Sequence, residues 1–302
     1  MANQLTAKNT FIVSTAGTPA ATDVVATNEI VFVNPTVKTA EEKCIGDGKA
    51  GSTKTYSVAD MTTADFTVPM CVRGSGTAGT APEAAELLKC CALKETVNAG
   101  TDVTYTPELT GVRGTAKNYM DGFVREITGI AGEMTLSGKV GERAVLSFAL
   151  KGFTTASAAA EANPSVTLDT NAALIVTSAT AVTVGGSTIE LTGFELKTGN
   201  DIQQNYAIGV KEYYVRDFAP ELKINAIKTK GNEQHWSDLE SNTVREVVII
   251  LGTTAGNKVT ITASSCNPKN VSENDDNGKV VYEQTYLCQS SAGGDNFSIV
   301  FE

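Results

Sequence analysis

The sequence is poor in almost everything that catalysis or membrane insertion requires. It has one histidine and one tryptophan, and aromatics make up 6% of its 302 residues. A lone imidazole, His235, is thin material for acid–base or metal chemistry. The strongest apolar run, 247–251, is far too short to span a bilayer. The first residues carry Lys8 but no sustained apolar stretch, so no secretory signal is expected, and the new chain is expected in a cytoplasm. Basic residues are outnumbered: 24 Lys and Arg against 34 Asp and Glu give a net charge of −10. That balance excludes a protein that grips nucleic acid through a basic patch. The six cysteines show no C-x-x-C spacing, which argues against a disulfide framework or a zinc site. They read as small buried hydrophobes.

Motifs that imitate chemistry fail on inspection. Gly74-Ser-Gly-Thr-Ala-Gly satisfies a dinucleotide fingerprint in form, but Thr-rich strands follow its helix instead of a chain of βαβ units. Gly46 to Gly51 resembles a phosphate loop until Ser52 stands where the lysine belongs. Glu273 to Gly278 begins like a calcium loop but has Gln284 at the bidentate position, and a hairpin turn accounts for it better. No catalytic residue, no metal site and no cofactor is expected.

What the sequence does have is β palette. About forty threonines alternate with Val, Ile and Leu, the pattern of half-buried strands. Ile189 and Leu191, then Phe194 and Leu196, share one face after a shift that places a bulge at Gly193. Asn277-Gly278 reads as a hairpin turn before a strand over 279–288, and Ala292 to Asp295 punctuates the last two strands. Two helices are expected. The first follows Thr80 and Glu83 as a capping box, with Ala84, Leu87, Leu88 and Cys91 on its buried face. A second covers His235 to Asn242, with Ser237 as a cap.

The order of elements occurs twice. Residues 30–39 match 189–198, so that Lys38 falls on Lys197. Val58-Ala-Asp-Met matches Val215-Arg-Asp-Phe, and Asp65-Phe-Thr-Val matches Glu221-Leu-Lys-Ile. A helix follows in each half, then strands ending in Leu146-Ser-Phe-Ala-Leu or Phe297-Ser-Ile-Val-Phe. This reads as two tandem β domains, 1–160 and 161–302, with the Ala/Ser-rich stretch from Thr154 to Pro164 as the linker.

Several segments, in order along nearly the whole chain, carry a family likeness. They are Gly74-Ser-Gly-Thr-Ala-Gly-Thr-Ala-Pro-Glu, Leu87-Leu-Lys-Cys-Cys-Ala-Leu-Lys-Glu-Thr-Val, Thr104-Tyr-Thr-Pro and Asp121-Gly. Ile127-Thr-Gly-Ile-Ala-Gly-Glu, Leu146-Ser-Phe-Ala-Leu-Lys-Gly, Gly199-Asn-Asp and Gly252-Thr-Thr-Ala-Gly-Asn-Lys-Val-Thr complete the set. The chain resembles the tail tube proteins of long-tailed bacteriophages, especially the two-domain kind of Mu-like siphophages. The resemblance implies two tail-tube-type β-sandwich domains, each with a short flanking α-helix, and a structural virion subunit that is not an enzyme. It implies self-assembly into stacked rings, trimers with pseudo-sixfold symmetry, around a channel for DNA ejection. Its implied partners are further copies of itself, the tape measure, tail terminator and distal tail or baseplate proteins, and double-stranded DNA passing without specific binding.

A DNA channel should not hold phosphates, so an acidic lumen is expected, with Asp65 and Glu221 as lining residues. In the family, comparable loops reach from ring to ring. Here these are segments 40–56 and 199–214, with Glu41, Glu42, Lys43, Asp47, Asp201, Gln203, Lys211 and Glu212 as contact residues. Two other readings stay open at this level: another β-rich virion or cell-surface adhesion protein, and a nucleotide-binding enzyme built on Gly74 to Gly79.

Overall fold

Alternating Thr, Val, Ile and Leu build strands almost throughout. The computed structural model is mainly β, with two short α-helices among the described residues, which are 5, 7–43, 53–109, 111–177, 180–229 and 234–302. The first run of elements is β1 (Asn9–Ser14), β2 (Val24–Val25), β3 (Asn34–Lys43), β4 (Thr53–Cys71), α1 (Ala85–Cys90), β5 (Leu93–Asn98), β6 (Asp102–Pro107), β7 (Gly114–Met120), β8 (Phe123–Lys139), β9 (Val145–Thr154) and β10 (Ala159–Ala160). The second is β11 (Ala181–Val184), β12 (Ser187–Thr188), β13 (Leu191–Lys197), β14 (Asn200–Ala207), β15 (Val210–Phe218), β16 (Glu221–Ile227), α2 (Gln234–Ser241), β17 (Arg245–Thr254), β18 (Asn257–Asp276), β19 (Lys279–Cys288) and β20 (Ser298–Phe301).

One pairing order occurs twice, antiparallel throughout. β1 pairs with β2 and β7, and the ladder continues β7–β8–β9–β4–β3. β11 pairs with β12 and β17, and the ladder continues β17–β18–β19–β16–β13. β10 adds to β8 as β20 adds to β18. The β5–β6 hairpin has no counterpart; β6 pairs with β20 and ties the first run to the second. A second tie is the joint between β8 and β13, where Thr135–Lys139 pair with Lys197–Gly193.

Register fixes which residues correspond. Ile130 opposite Gly114 and Cys266 opposite Arg245 are matching pairs of the β7–β8 and β17–β18 ladders. One step on, Ala131–Lys151–Asp65 and Asn267–Leu287–Glu221 form the same three-strand row. Asp65 and Glu221 are therefore equivalent, in line with the sequence match. Two parts of that match shift. Asn34, not Lys38, lies opposite Asp65 as Lys197 lies opposite Glu221. Leu146 to Leu150 corresponds to Tyr282 to Tyr286 in β19, while the counterpart of β20 is the two-residue β10. Short Thr- and Val-rich strings slide past one another without penalty, so their letters do not determine register.

Alternation places even-numbered side chains such as Phe66, Phe148, Leu136, Leu196, Ile224 and Tyr286 inside, in one hydrophobic core fed by both runs. Each fully buried aliphatic or aromatic side chain contributes about 1.5–3 kcal/mol of transfer free energy, so the core dominates over any surface pair. The Gly193 bulge is present as a register shift between Leu191 and Gly193. Asn277 and Gly278, at φ 53° and 80°, make the expected tight turn between β18 and β19.

Both helices form, with different starts. α1 buries Leu87 and Leu88, with Ala84 and Cys91 beside them, as the pattern predicts. Its capping box does not form. The N-cap is Ala84, no side chain caps it, and the Glu83 carboxylate accepts instead from the Ala26 N–H. Thr80 is used up in a turn on the Thr77 carbonyl, and Ala85 closes another on Pro82, which delays the helix. Ser237 is likewise no cap: α2 begins at Gln234, and the Ser237 hydroxyl donates to the Gln234 carbonyl.

Candidate assembly surfaces

The sheet β3–β4–β9–β8–β13–β16–β19–β18 runs unbroken through both halves, and the odd-numbered residues of β13, β16 and β19 with their neighbours in register make one polar face. Asp65 and Glu221 both lie on it, Asp65 exposed and opposite Lys151, Glu221 half-buried and opposite Lys197. The face is laced with ion pairs: Lys197 with Glu195 along β13 at 2.9 Å, and, across strands, Lys223 with Glu283 at 2.9 Å and Lys269 with Glu221. Glu195 also raises the Lys197 ammonium pKa by accepting its hydrogen bond. Bare carboxylates are thus not the rule here; acids and lysines neutralise one another.

Two β-hairpin arms extend from this sheet. β3 and β4 continue into one, and β14–β15 form the other, with a bulge at each base. The first pairs beyond the bulges are Lys38 with Val58 and Ile202 with Val215, and further out Ala40 pairs with Tyr56 as Gln204 does with Tyr213. The arms differ in what they touch. The β14–β15 arm lies on β8 and β9: Tyr213 is buried with Ala131 and Phe153, its ring 5.2 Å from the Phe153 ring. A Cβ on Gly129 would come within 2.8 Å of the Lys211 carbonyl, so glycine is what allows this close approach. Lys211 and Tyr206 bind the Asp60 carboxylate, and Lys211 first among its partners lowers its pKa. Arg113 reaches Glu212 at 3.6 Å.

The β3–β4 arm touches little. Glu41, Glu42 and Lys43 are exposed, as is Tyr56 at 51%, whose hydroxyl donates to Glu42 of the same arm. Asp47 and Cys44 lie outside the described residues. In the other arm Asp201 pairs with Arg216 and accepts from Gln203, so those two side chains stay within the arm. At its tip Ile208 is fully exposed. Sequence reasoning placed both segments as outward loops and missed the seat of the second. Its one signal was the cluster of Tyr206, Tyr213 and Tyr214 in an otherwise polar stretch.

A third cluster joins α2 to β18. The Glu273 carboxylate accepts from Trp236 Nε1 at 2.6 Å and lies 3.0 Å from both His235 Nε2 and Lys228 Nζ. Hydrogen bonds from His235, Trp236 and Lys228 hold its pKa down at about 2. The His235 ring is buried and stacks on Tyr282 at 4.1 Å and 2°.

The imitated motifs find packing explanations. Gly74 and Gly76 press against the Gly256–Asn257 turn: a Cβ on Gly74 would sit 2.0 Å from the Gly256 carbonyl, which itself accepts from Gly76. That contact occupies the space a pyrophosphate would need. Cys71, Cys90, Cys91, Cys266 and Cys288 are free and buried, and burial pushes the Cys90 thiol up to about 12, far from a reactive thiolate. No group of three metal-binding side chains occurs among the described residues, and no helix is long and apolar enough to cross a membrane.

The surfaces on offer are a polar sheet face, two arms and open strand edges, the material of assembly. No curated protein matches the chain. The family model for phage tail tube proteins matches residues 4–288, nearly the whole length, and the chain therefore belongs to the phage tail tube protein family, as a structural component of the virion tail.

Proposed function

We propose that the chain closes into rings that stack as a tube, with 1–160 and 161–302 as successive β-sandwich repeats. Three chains then make a pseudo-sixfold ring, the two-domain arrangement of Mu-like siphophages, and duplex DNA passes through its channel. The observation that carries this reading is the pairing order that occurs twice and is joined within the chain. Thr135–Lys139 of β8 pair with β13, while the matching edge of β18, Ser272–Asp276, has no strand beside it among the described residues. At the other end of the sheet the outer edge of β3 is equally open. Exposed Ile30 and Phe32 precede it, and the side chains of Asn9 and Asn118 occupy the Val31 backbone groups. Open edges invite uncontrolled pairing, and closing a ring removes them.

In this arrangement the polar face carrying Asp65 and Glu221 lines the lumen. Each lysine held by a carboxylate is withdrawn from phosphate contact, so the duplex slides and is not gripped. The outer ends of the arms, with Glu41, Glu42 and Lys43 on one and Ile208 on the other, reach the next ring, while Asp201, Gln203, Lys211 and Glu212 stiffen the second arm. The tube's ends meet the tape measure, terminator and distal tail or baseplate proteins, and subunits gather in the host cytoplasm. Negative-stain electron microscopy of concentrated protein tests the reading. Rings or tubes with a central hole wide enough for duplex DNA are expected; a species that stays monomeric at every concentration rejects it.

A further inference from the structure

The two arms are built alike but only one has a seat. Tyr213 and Tyr56 occupy the same arm position, each opposite the strand partner equivalent to Gln204 or Ala40. Tyr213 is 8% exposed and Tyr56 51%. Counting along the same strands from the two tyrosines makes Lys54 the counterpart of Lys211, and makes Asp217, paired with Asp201 beside the second bulge, the counterpart of Asp60 within the first. The seat has a counterpart too. Ala131 and Phe153, under Tyr213, correspond by register to Asn267 and Gln289, and Arg113 corresponds to Val244. Among the described residues no second arm lies on that seat. Val244 is 45% exposed and Gln289 is exposed.

We infer that the β3–β4 arm docks on a second copy of this chain, over β18 and β19, repeating between chains the contact that β14–β15 make within one. Tyr56 then packs on Asn267 and Gln289 of the neighbouring copy, and Lys54 pairs with the neighbour's Asp217. The lateral contact is thus a strap across the joint as well as a strand edge. The character of the two sides matches. The in-chain seat is apolar, with Phe153 under Tyr213, Ile202 and Val215. The empty seat is polar, and so is its arm, which carries Lys38 where the other has Ile202. A polar arm on a polar seat remains soluble until assembly, as a contact that must form late requires.

The inference rests on the ring reading, and its test separates the two. A photo-crosslinking phenylalanine analogue at position 56, in a mixture of isotopically light and heavy chains, should give intermolecular products that map to 265–269 or 287–290. Charge reversal supplies the second arm of the test. Lys54→Glu and Asp217→Lys should each raise the concentration needed for rings by about tenfold, and the double variant should return it to the wild-type value. All three should melt like wild type. Rings whose crosslinks from position 56 fall elsewhere, or single variants that assemble normally, overturn the docking and leave the tube reading standing. Wild-type protein that never forms rings removes both.

Discussion

At Glu273 one carboxylate serves Trp236, His235 and Lys228, and thereby pins α2 to β18. Because its folded pKa is depressed to about 2, against 4.5 for an ordinary glutamate, the stabilisation is complete above about pH 4.5 and lost as pH falls toward 2. Trp236 is the sole tryptophan and donates to this carboxylate, so its fluorescence reads the contact directly. The emission should hold steady from pH 7 to about 4.5 and shift across the window below it. In Glu273→Gln the shifted emission should already be present at pH 7; an unchanged spectrum would mean that α2 is held by the Tyr282 stack alone. None of this was legible in the sequence. Glu273 reads there as the start of an acidic turn, and its donors come from positions far away along the chain.

The arms allow a comparison between two equivalent elements. Tyr213→Ala removes a ring that packs on Phe153 and should cost about 2–3 kcal/mol of stability, allowing for its incomplete enclosure. Tyr56→Ala, at the same place in the free arm, should change stability by less than about 0.5 kcal/mol. Urea unfolding of the two variants measures both, and equal losses would show that the arms are not different in kind. The strands themselves were readable because alternation is a local signal: the Phe194 and Leu196 face, the Asn277–Gly278 turn and the buried face of α1 all follow from neighbours in sequence. The seat was not, because Phe153 and Tyr213 meet only after β13 has joined β8. The capping box failed for a related reason. Glu83 was judged by its distance from Thr80, while a more remote donor, the Ala26 N–H, claimed it.

For the whole molecule, the consequence of the laced face is electrostatic. With a net charge of −10, the chain still keeps Lys197, Lys223 and Lys269 on that face paired with acids, which separates two ways in which the proposed channel would pass DNA: repulsion by bare carboxylates and indifference from neutralised pairs. Replacing Glu195, Glu221 and Glu283 together by Gln frees Lys197, Lys223 and Lys269. Assembled tubes of that variant should then retain duplex DNA that wild-type tubes release, with a logarithmic salt slope of about −0.9 for each phosphate contacted. Retention that does not respond to salt would exclude those lysines as the cause.

The joint between β8 and β13 also has an arithmetical consequence. In the ring proposed above, because this joint is covalently backed, repeats enter only in couples, so every closed ring would hold an even number of them. Closure with one repeat too few or too many is unavailable. The nearest faulty ring differs by a whole chain, a far larger error of curvature than a single misplaced repeat. Parity, fixed when the two halves are translated as one chain, thus guards the bore of the tube before any subunit meets another.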